Sequence, residues 1–187
     1  KVLIAGSSWA PDEDLFIPYF NKRKDLKLVI APHVVNEGHL SEIERKLERP
    51  ALRYSKATPE EAAKADCLII DCYGLLSSIY RYATVAYVGG GFGVGIHNVP
   101  EAAVYGCPVL FGPNNKKFQE AAKLKECGGG IEISDYAGFE KMMDTFVADD
   151  AVLLPDDRRV GAAAGRAGHG AHEGHAGLAA LCAACRA

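Results

Sequence analysis

Apolar residues along the first 147 positions follow two rhythms. Nearly unbroken runs at residues 2–5, 26–31, 67–71, 84–88 and 108–111 show little polar alternation, the pattern of strands covered on both faces. Between them, apolar positions return at helical spacing. Leu40, Ile43 and Leu47 mark one amphipathic helix, stopped by Pro50, and Phe139, Met142, Met143, Phe146 and Val147 mark another. After the first run, Pro11 suits a first helical turn, Asp12, Glu13 and Asp14 complement its dipole, and Leu15, Ile17, Tyr19 and Phe20 supply apolar bulk. Thr58-Pro59-Glu60-Glu61 is a capping box opening a short helix to about residue 64. Further helices are predicted from Gly74 to Tyr80, from about Asn98 to Tyr105 and from Lys116 to Cys127, with short strands near residues 51–54 and 131–133. Strand alternating with helix predicts an α/β fold: a doubly wound, Rossmann-like parallel sheet over residues 1–150.

Composition narrows the class. The hydrophobic fraction of 49% and charged fraction of 24% are those of an ordinary globular protein, and a net charge of −3 speaks against a nucleic-acid binder, which wants a basic stripe. No apolar run approaches the ~20 residues of a membrane span and no signal peptide precedes Lys1, so a cytosolic protein is expected. The abrupt start on a strand suggests a fragment of a longer chain. Of the six cysteines, Cys67, Cys72, Cys107 and Cys127 lie in or beside regular segments and are expected to be buried free thiols. Residues 151–187 are Ala- and Gly-rich and are expected to form a poorly structured or artefactual tail, with the composition of GC-rich DNA read in a wrong frame. A zinc site is the alternative there, from His169, His172 and His175 with Cys182-x-x-Cys185.

The chemistry-bearing residues follow strands. In a sheet of this kind the ligand sits beyond the carboxyl ends of the strands, where strand order reverses. The segments expected there are Gly6-Ser7-Ser8-Trp9, Pro32-His33, Asp71-Cys72-Tyr73-Gly74, the run Gly89-Gly90-Gly91 through His97 and Asn98 to Glu101, and Gly112-Pro113-Asn114-Asn115. The glycines fit neither G-x-G-x-x-G nor a P-loop, and no acid stands after the second strand, so dinucleotide and NTP sites are disfavoured. What remains is a loop able to hold a phosphate or carboxylate on backbone N–H groups at a helix start. Glu101, three residues beyond Asn98, shares its helix face, where a carboxylate can accept both hydroxyls of a ribose or simply complement the dipole. Ser7 and Ser8 either donate to a phosphate or cap the next helix. His33 and Lys117 are candidate anion contacts or ordinary surface residues, and Trp9 is read as packing. Asp12-Glu13-Asp14 also spells D-x-D, by which some glycosyltransferases hold a metal, but acids in a first helical turn are the favoured explanation. No metal ligand and no cofactor is assigned.

Taken in order, Gly6-Ser7-Ser8-Trp9, Asp71-x-x-Gly74-x-Leu76, Ala86-Tyr87-Val88-Gly89-Gly90, Gly95-x-His97-Asn98-x-x-Glu101-Ala102 and Pro108-Val109-Leu110-Phe111-Gly112-Pro113-Asn114 through Phe118 resemble the C-terminal half of 3-deoxy-D-manno-octulosonic acid (Kdo) transferases. The resemblance covers roughly residues 1–147. It implies the donor-binding domain of a GT-B glycosyltransferase that transfers Kdo from CMP-Kdo to lipid A precursor in Gram-negative lipopolysaccharide synthesis, at the cytoplasmic face of the inner membrane. By position, Glu101 would hold the ribose and residues 71–75, with Asp71, Tyr73 and Gly74, would line the cytidine pocket. Gly89, Gly90 and Gly91 with Ser7 or Ser8 would hold the phosphate, and His97 and Asn98 would border the sugar. Where the family often has Arg-His after the second strand, this chain has Pro32-His33. The general base, the lipid A contact and the membrane contact would belong to the missing N-terminal domain, leaving no catalytic residue here and a fragment that binds CMP or CMP-Kdo without turnover. Two alternatives stay open: another GT-B enzyme or a UDP-sugar 2-epimerase, and a non-enzymatic nucleotide- or anion-binding domain.

Overall fold

A computed structural model describes residues 1–148, in which seven parallel strands alternate with helices. The strands are β1 (Val2–Ser8), β2 (Lys27–Pro32), β3 (Ala51–Arg53), β4 (Cys67–Ile69), β5 (Val85–Val88), β6 (Val109–Phe111) and β7 (Gly130–Glu132). Between and after them run α1 (Ala10–Lys22), α2 (Glu37–Lys46), α3 (Pro59–Lys64), α4 (Leu76–Ile79), α5 (Pro100–Ala103), α6 (Gln119–Glu126) and α7 (Tyr136–Ala148). Strand order is β3-β4-β2-β1-β5-β6-β7, with every neighbouring pair parallel. The chain therefore fills one side of β1 first and then crosses to the other side at β5. That reversal puts the crevice between the ends of β1 and β5.

Alternation along each strand divides the core in two. Leu3, Ala5, Leu28, Ile30, Tyr87 and Leu110 face α1, α2 and α7, packing on Phe16, Phe20, Ile43, Phe139 and Met143. Their neighbours Val2, Ile4, Val29, Ala86, Val88, Val109 and Phe111 face the other way, onto Ile79, Tyr80, Ala102 and Ala121 of the segments after β4, β5 and β6. The unbroken apolar runs follow from this, since both faces of each strand are covered. Arg49, only 6% exposed, closes the end of α1 by donating to the carbonyls of Phe20, Arg23 and Leu26 while its guanidinium lies 4.1 Å from the Phe20 ring.

Several boundaries move. The helix expected over residues 98–105 is the single turn α5, and the one expected from Lys116 begins at Gln119, so Lys117 sits in the preceding turn. The helix expected from Gly74 is α4 followed by a 3-10 turn at Tyr80–Tyr82. All four cysteines among the described residues are free, but only Cys67 and Cys107 are buried; Cys72 is half-buried and Cys127 exposed. The reading of Cys127 as a buried thiol fails because it stands at the frayed end of α6, just before Gly128 turns the chain. Among the described residues no helix is long and apolar enough to cross a membrane. The tail, its boundary near residue 151 and its candidate zinc ligands lie outside the described residues.

Candidate functional site

At its end β1 bulges: the register with β2 shifts between Gly6 and Ser8, and Ser7 adopts a left-handed conformation at φ 52°. A serine held there is strained, and such strain persists where surrounding structure dictates it. Across the crevice the loop after β5 folds back on itself. Gly90 has φ 93°, and a Cβ on it would lie 2.2 Å from the Gly95 carbonyl oxygen, so only glycine fits this turn.

The loop's first N–H groups do not face an open anion site. Gly89 donates to the Gly6 carbonyl and Gly90 to Asp12 Oδ2, both at 2.9 Å. Gly93 and Gly95 donate to the Gly90 carbonyl, Ile96 to that of Asn114, and His97 to that of Gly89. The expectation that Gly89 and Gly90 cradle a phosphate is corrected accordingly: they close the loop. Gly91 serves close packing, since a Cβ there would come 2.5 Å from Gly112 Cα. Asn114 is a staple for the same loop, its N–H donating to the Gly91 carbonyl and its side chain to the Gly93 carbonyl at 2.7 Å.

Two acids behind the loop carry more of the site than the sequence suggested. Asp12, 1% exposed, accepts from the Trp9 and Gly90 N–H groups and from the Tyr87 hydroxyl at 2.8–2.9 Å. Burial, and then the adjacent Asp12 carboxylate, push the Tyr87 hydroxyl far above its ordinary pKa. Glu13, fully buried, accepts from the Ser8 hydroxyl at 3.0 Å and lies 2.9 Å from His39 Nε2, while His39 Nδ1 meets the Val34 carbonyl. Ser8 is thus fully buried and turned to Glu13, so it serves neither as a phosphate donor nor as a helix cap. The reading of Asp12 and Glu13 as plain dipole complements gives way to that of buried connectors. Nor do Asp12 and Asp14 form a D-x-D metal clamp, because Asp14 points outward to Lys46 at 2.7 Å. The helical wheel carried the signal: Asp12 shares a stripe with Phe16 and Phe20, and Glu13 with Ile17, whereas Asp14 shares one with the exposed Pro18.

The side chains that do gather at the crevice are Trp9, His33, His97, Asn98 and Glu101. His97 is half-buried, accepts from Trp9 Nε1 at 3.1 Å and stacks on His33 with centroids 4.2 Å apart. Burial lowers its pKa below the ordinary histidine value, His33 lowers it further, and Asp12 opposes both. Asn98 donates to Glu101 Oε1 at 2.7 Å, which fixes the carboxylate and leaves its second oxygen without a partner among the described residues. Ile96, His97, Asn98, Val99 and Pro100 line a cleft of about 400 Å³ closed by Phe118 and Glu120; Lys117, exposed, is not part of its wall.

On the β4 side, Asp71 accepts from the Ser55 N–H and hydroxyl, tying the end of β4 to the turn after β3. Tyr73 is 73% exposed, and its hydroxyl accepts from the Val35 N–H. Gly74, at φ 91°, has open space around it. These three follow β4 at the carboxyl edge of the sheet, Asp71 and Tyr73 already tied to neighbouring loops.

No protein-family model matches the chain. Over 154 residues it is 30% identical to the 3-deoxy-D-manno-octulosonic acid transferase of Chlamydophila psittaci, an alignment covering 80% of this chain and 35% of that protein. It is 26% identical over 142 residues to the Aquifex aeolicus protein of the same name, covering 72% of this chain and 38% of the relative. The chain thus spans little more than a third of the length of these relatives. Among solved structures, the C-terminal CMP-Kdo binding domain of WaaA from Acinetobacter baumannii matches with a TM-score of 0.66 over 100% of this chain and 87% of that one, at 22% identity, a likeness of fold.

Proposed function

We propose, from the premise that this chain is a homologue of the Kdo transferases, that it is the donor-binding half of a glycosyltransferase and binds CMP-Kdo through its CMP moiety. The observation that carries the reading is the Asn98–Glu101 pair: a carboxylate held at 2.7 Å by its neighbour, half-exposed beside the strand-order reversal, with one oxygen open. Such a group accepts the paired hydroxyls of a ribose. Residues 71–75 line the cytidine, and the Ser7 hydroxyl, at the bulge, meets the phosphate together with the loop beyond Gly90. His97 borders the sugar. His33 and Lys117 stand at the rim, where an anion approaching from solvent passes them.

The chemistry follows from the donor. An acceptor hydroxyl attacks the anomeric carbon, the glycosidic bond to CMP breaks, and negative charge grows on the single phosphate. Fixed hydrogen-bond donors around that phosphate stabilise the leaving group without reorganising. CMP carries no diphosphate for a metal to bridge, so the step does not call for one. The acceptor is lipid A precursor at the inner face of the inner membrane. The acceptor site, the membrane contact and the base that takes the hydroxyl proton belong to the rest of the full-length enzyme, so this chain alone binds the donor without turnover.

Calorimetric titration of the chain with CMP tests this. Saturable binding that Glu101→Ala weakens by ~1–3 kcal/mol, the range for losing buried hydrogen bonds to a charged group, is the expected result. Binding indifferent to Glu101→Ala would return the site to a general anion binder.

A further inference from the structure

Trp9 reads from sequence as a packing residue, yet its indole makes a polar contact at the heart of the crevice. Trp9 Nε1 lies 3.1 Å from His97 Nε2, and His33 stacks on both rings, 4.8 Å from Trp9 and 4.2 Å from His97, with interplanar angles of 27° and 20°. An indole nitrogen can only donate. The partner nitrogen of His97 must therefore present a lone pair, and the ring's proton must sit on Nδ1. A proton on Nε2 would set two hydrogens against each other, and a flipped ring would lose the bond.

We propose that Trp9 is a positioning residue: it holds His97 as the neutral Nδ1–H tautomer, so that His97 offers one donor in one fixed direction to the anionic part of the ligand. Only the identity of that ligand rests on the nucleotide-sugar reading above. The Nδ1 atom has no hydrogen-bond partner among the described residues, so its proton remains available to a ligand. Ionisable groups face His97 from three directions: His33 at the end of β2, Asp12 on α1, and Glu120 on α6 across the cleft. His33 opposes a charge on His97 and Asp12 favours one, but burial sides with His33, in keeping with a neutral ring. Trp9 is itself anchored, because its backbone N–H donates to Asp12 at 2.9 Å. One carboxylate thus supports both the glycine loop and the indole that orients the histidine.

The test is ring ¹⁵N spectroscopy of the whole chain labelled at histidine, with the His97 signals identified by their loss in His97→Gln. The wild-type protein should show the Nδ1–H tautomer at about pH 7 and above, since the His97 midpoint lies below the ordinary histidine value near ~6.5. Trp9→Phe keeps an aromatic ring for His33 but removes the donor. It should let His97 relax to a tautomer mixture, raise its titration midpoint and weaken CMP binding about two- to tenfold, the range for one lost hydrogen bond. An Nε2–H tautomer in the wild type overturns the proposal, as does a His97 spectrum and midpoint unchanged by Trp9→Phe. The tautomer is read without ligand. A wild-type chain that fails to bind CMP would sink the nucleotide reading and leave the assignment of Trp9 standing.

Discussion

At the start of α1, Asp12 accepts three hydrogen bonds and is sealed from solvent; at the start of α5, Glu101 accepts one, from Asn98, and stays half-exposed. Both are acids in a first helical turn beside the same crevice. Their difference lies in how many lone pairs the fold already uses. A buried carboxylate must be fully partnered or it destabilises the fold, so Asp12 and Glu13 have become the joints between β1, α2 and the glycine loop. Glu101 keeps capacity in reserve, which is what a ligand contact requires. Hydrogen-bond saturation, rather than residue type, separates scaffold from binding group here.

Substitutions can break this contrast, the strongest first. Asp12→Ala should leave the Trp9 and Gly90 N–H groups and the Tyr87 hydroxyl without their acceptor and cost roughly 3 kcal/mol or more in urea unfolding; a loss near zero would show that water replaces the carboxylate and that the joint is dispensable. Gly91→Ala should cost about 1–3 kcal/mol by overpacking against the Gly112 backbone and should weaken CMP binding with it. Glu101→Ala should reverse that balance, with stability within about 0.5 kcal/mol of wild type and the effect confined to CMP affinity. Should it unfold the protein instead, Glu101 belongs with the scaffold. Asp14→Ala removes only an exposed ion pair with Lys46 and should change neither quantity by more than about 0.5 kcal/mol. Loss of ligand binding on that substitution would restore the D-x-D reading.

His97 adds a pH-dependent term of known sign. Its pKa in the fold is lowered, so the unfolded chain binds this proton more readily. Its contribution to stability is therefore complete above the ordinary histidine value near ~6.5 and declines as pH falls through that value toward the folded pKa. Urea midpoints of the wild type and His97→Gln, compared at neutral and mildly acidic pH, should converge on the acid side.

The sheet was legible because buried parallel strands write themselves as unbroken apolar runs, and residues 2–5, 67–70 and 108–111 do so plainly. Candidate position His33 was legible as a polar residue at the end of such a run, and His97, Asn98 and Glu101 as the polar residues that close the glycine loop after the run at 84–88. What escaped was partnership. Nothing in the order Ser7-Ser8-Trp9 says that Ser8 turns inward to Glu13 while Trp9 reaches His97, 88 positions later. The glycines were misjudged for a related reason: a glycine that admits a ligand and one that admits a neighbouring backbone look alike until Gly6, Ser7 and Gly112 are seen against them. The stretch beginning at Asn98 looked like a full helix, yet its helical part, opened by Pro100, is a single turn. The dipole of so short a helix is correspondingly small.

The most direct test of the account is a side-by-side calorimetric titration of this chain with CMP, UDP and NAD. Tightest binding of CMP is the predicted result. Tighter binding of UDP or NAD would contradict the assignment of the crevice to a CMP-activated sugar.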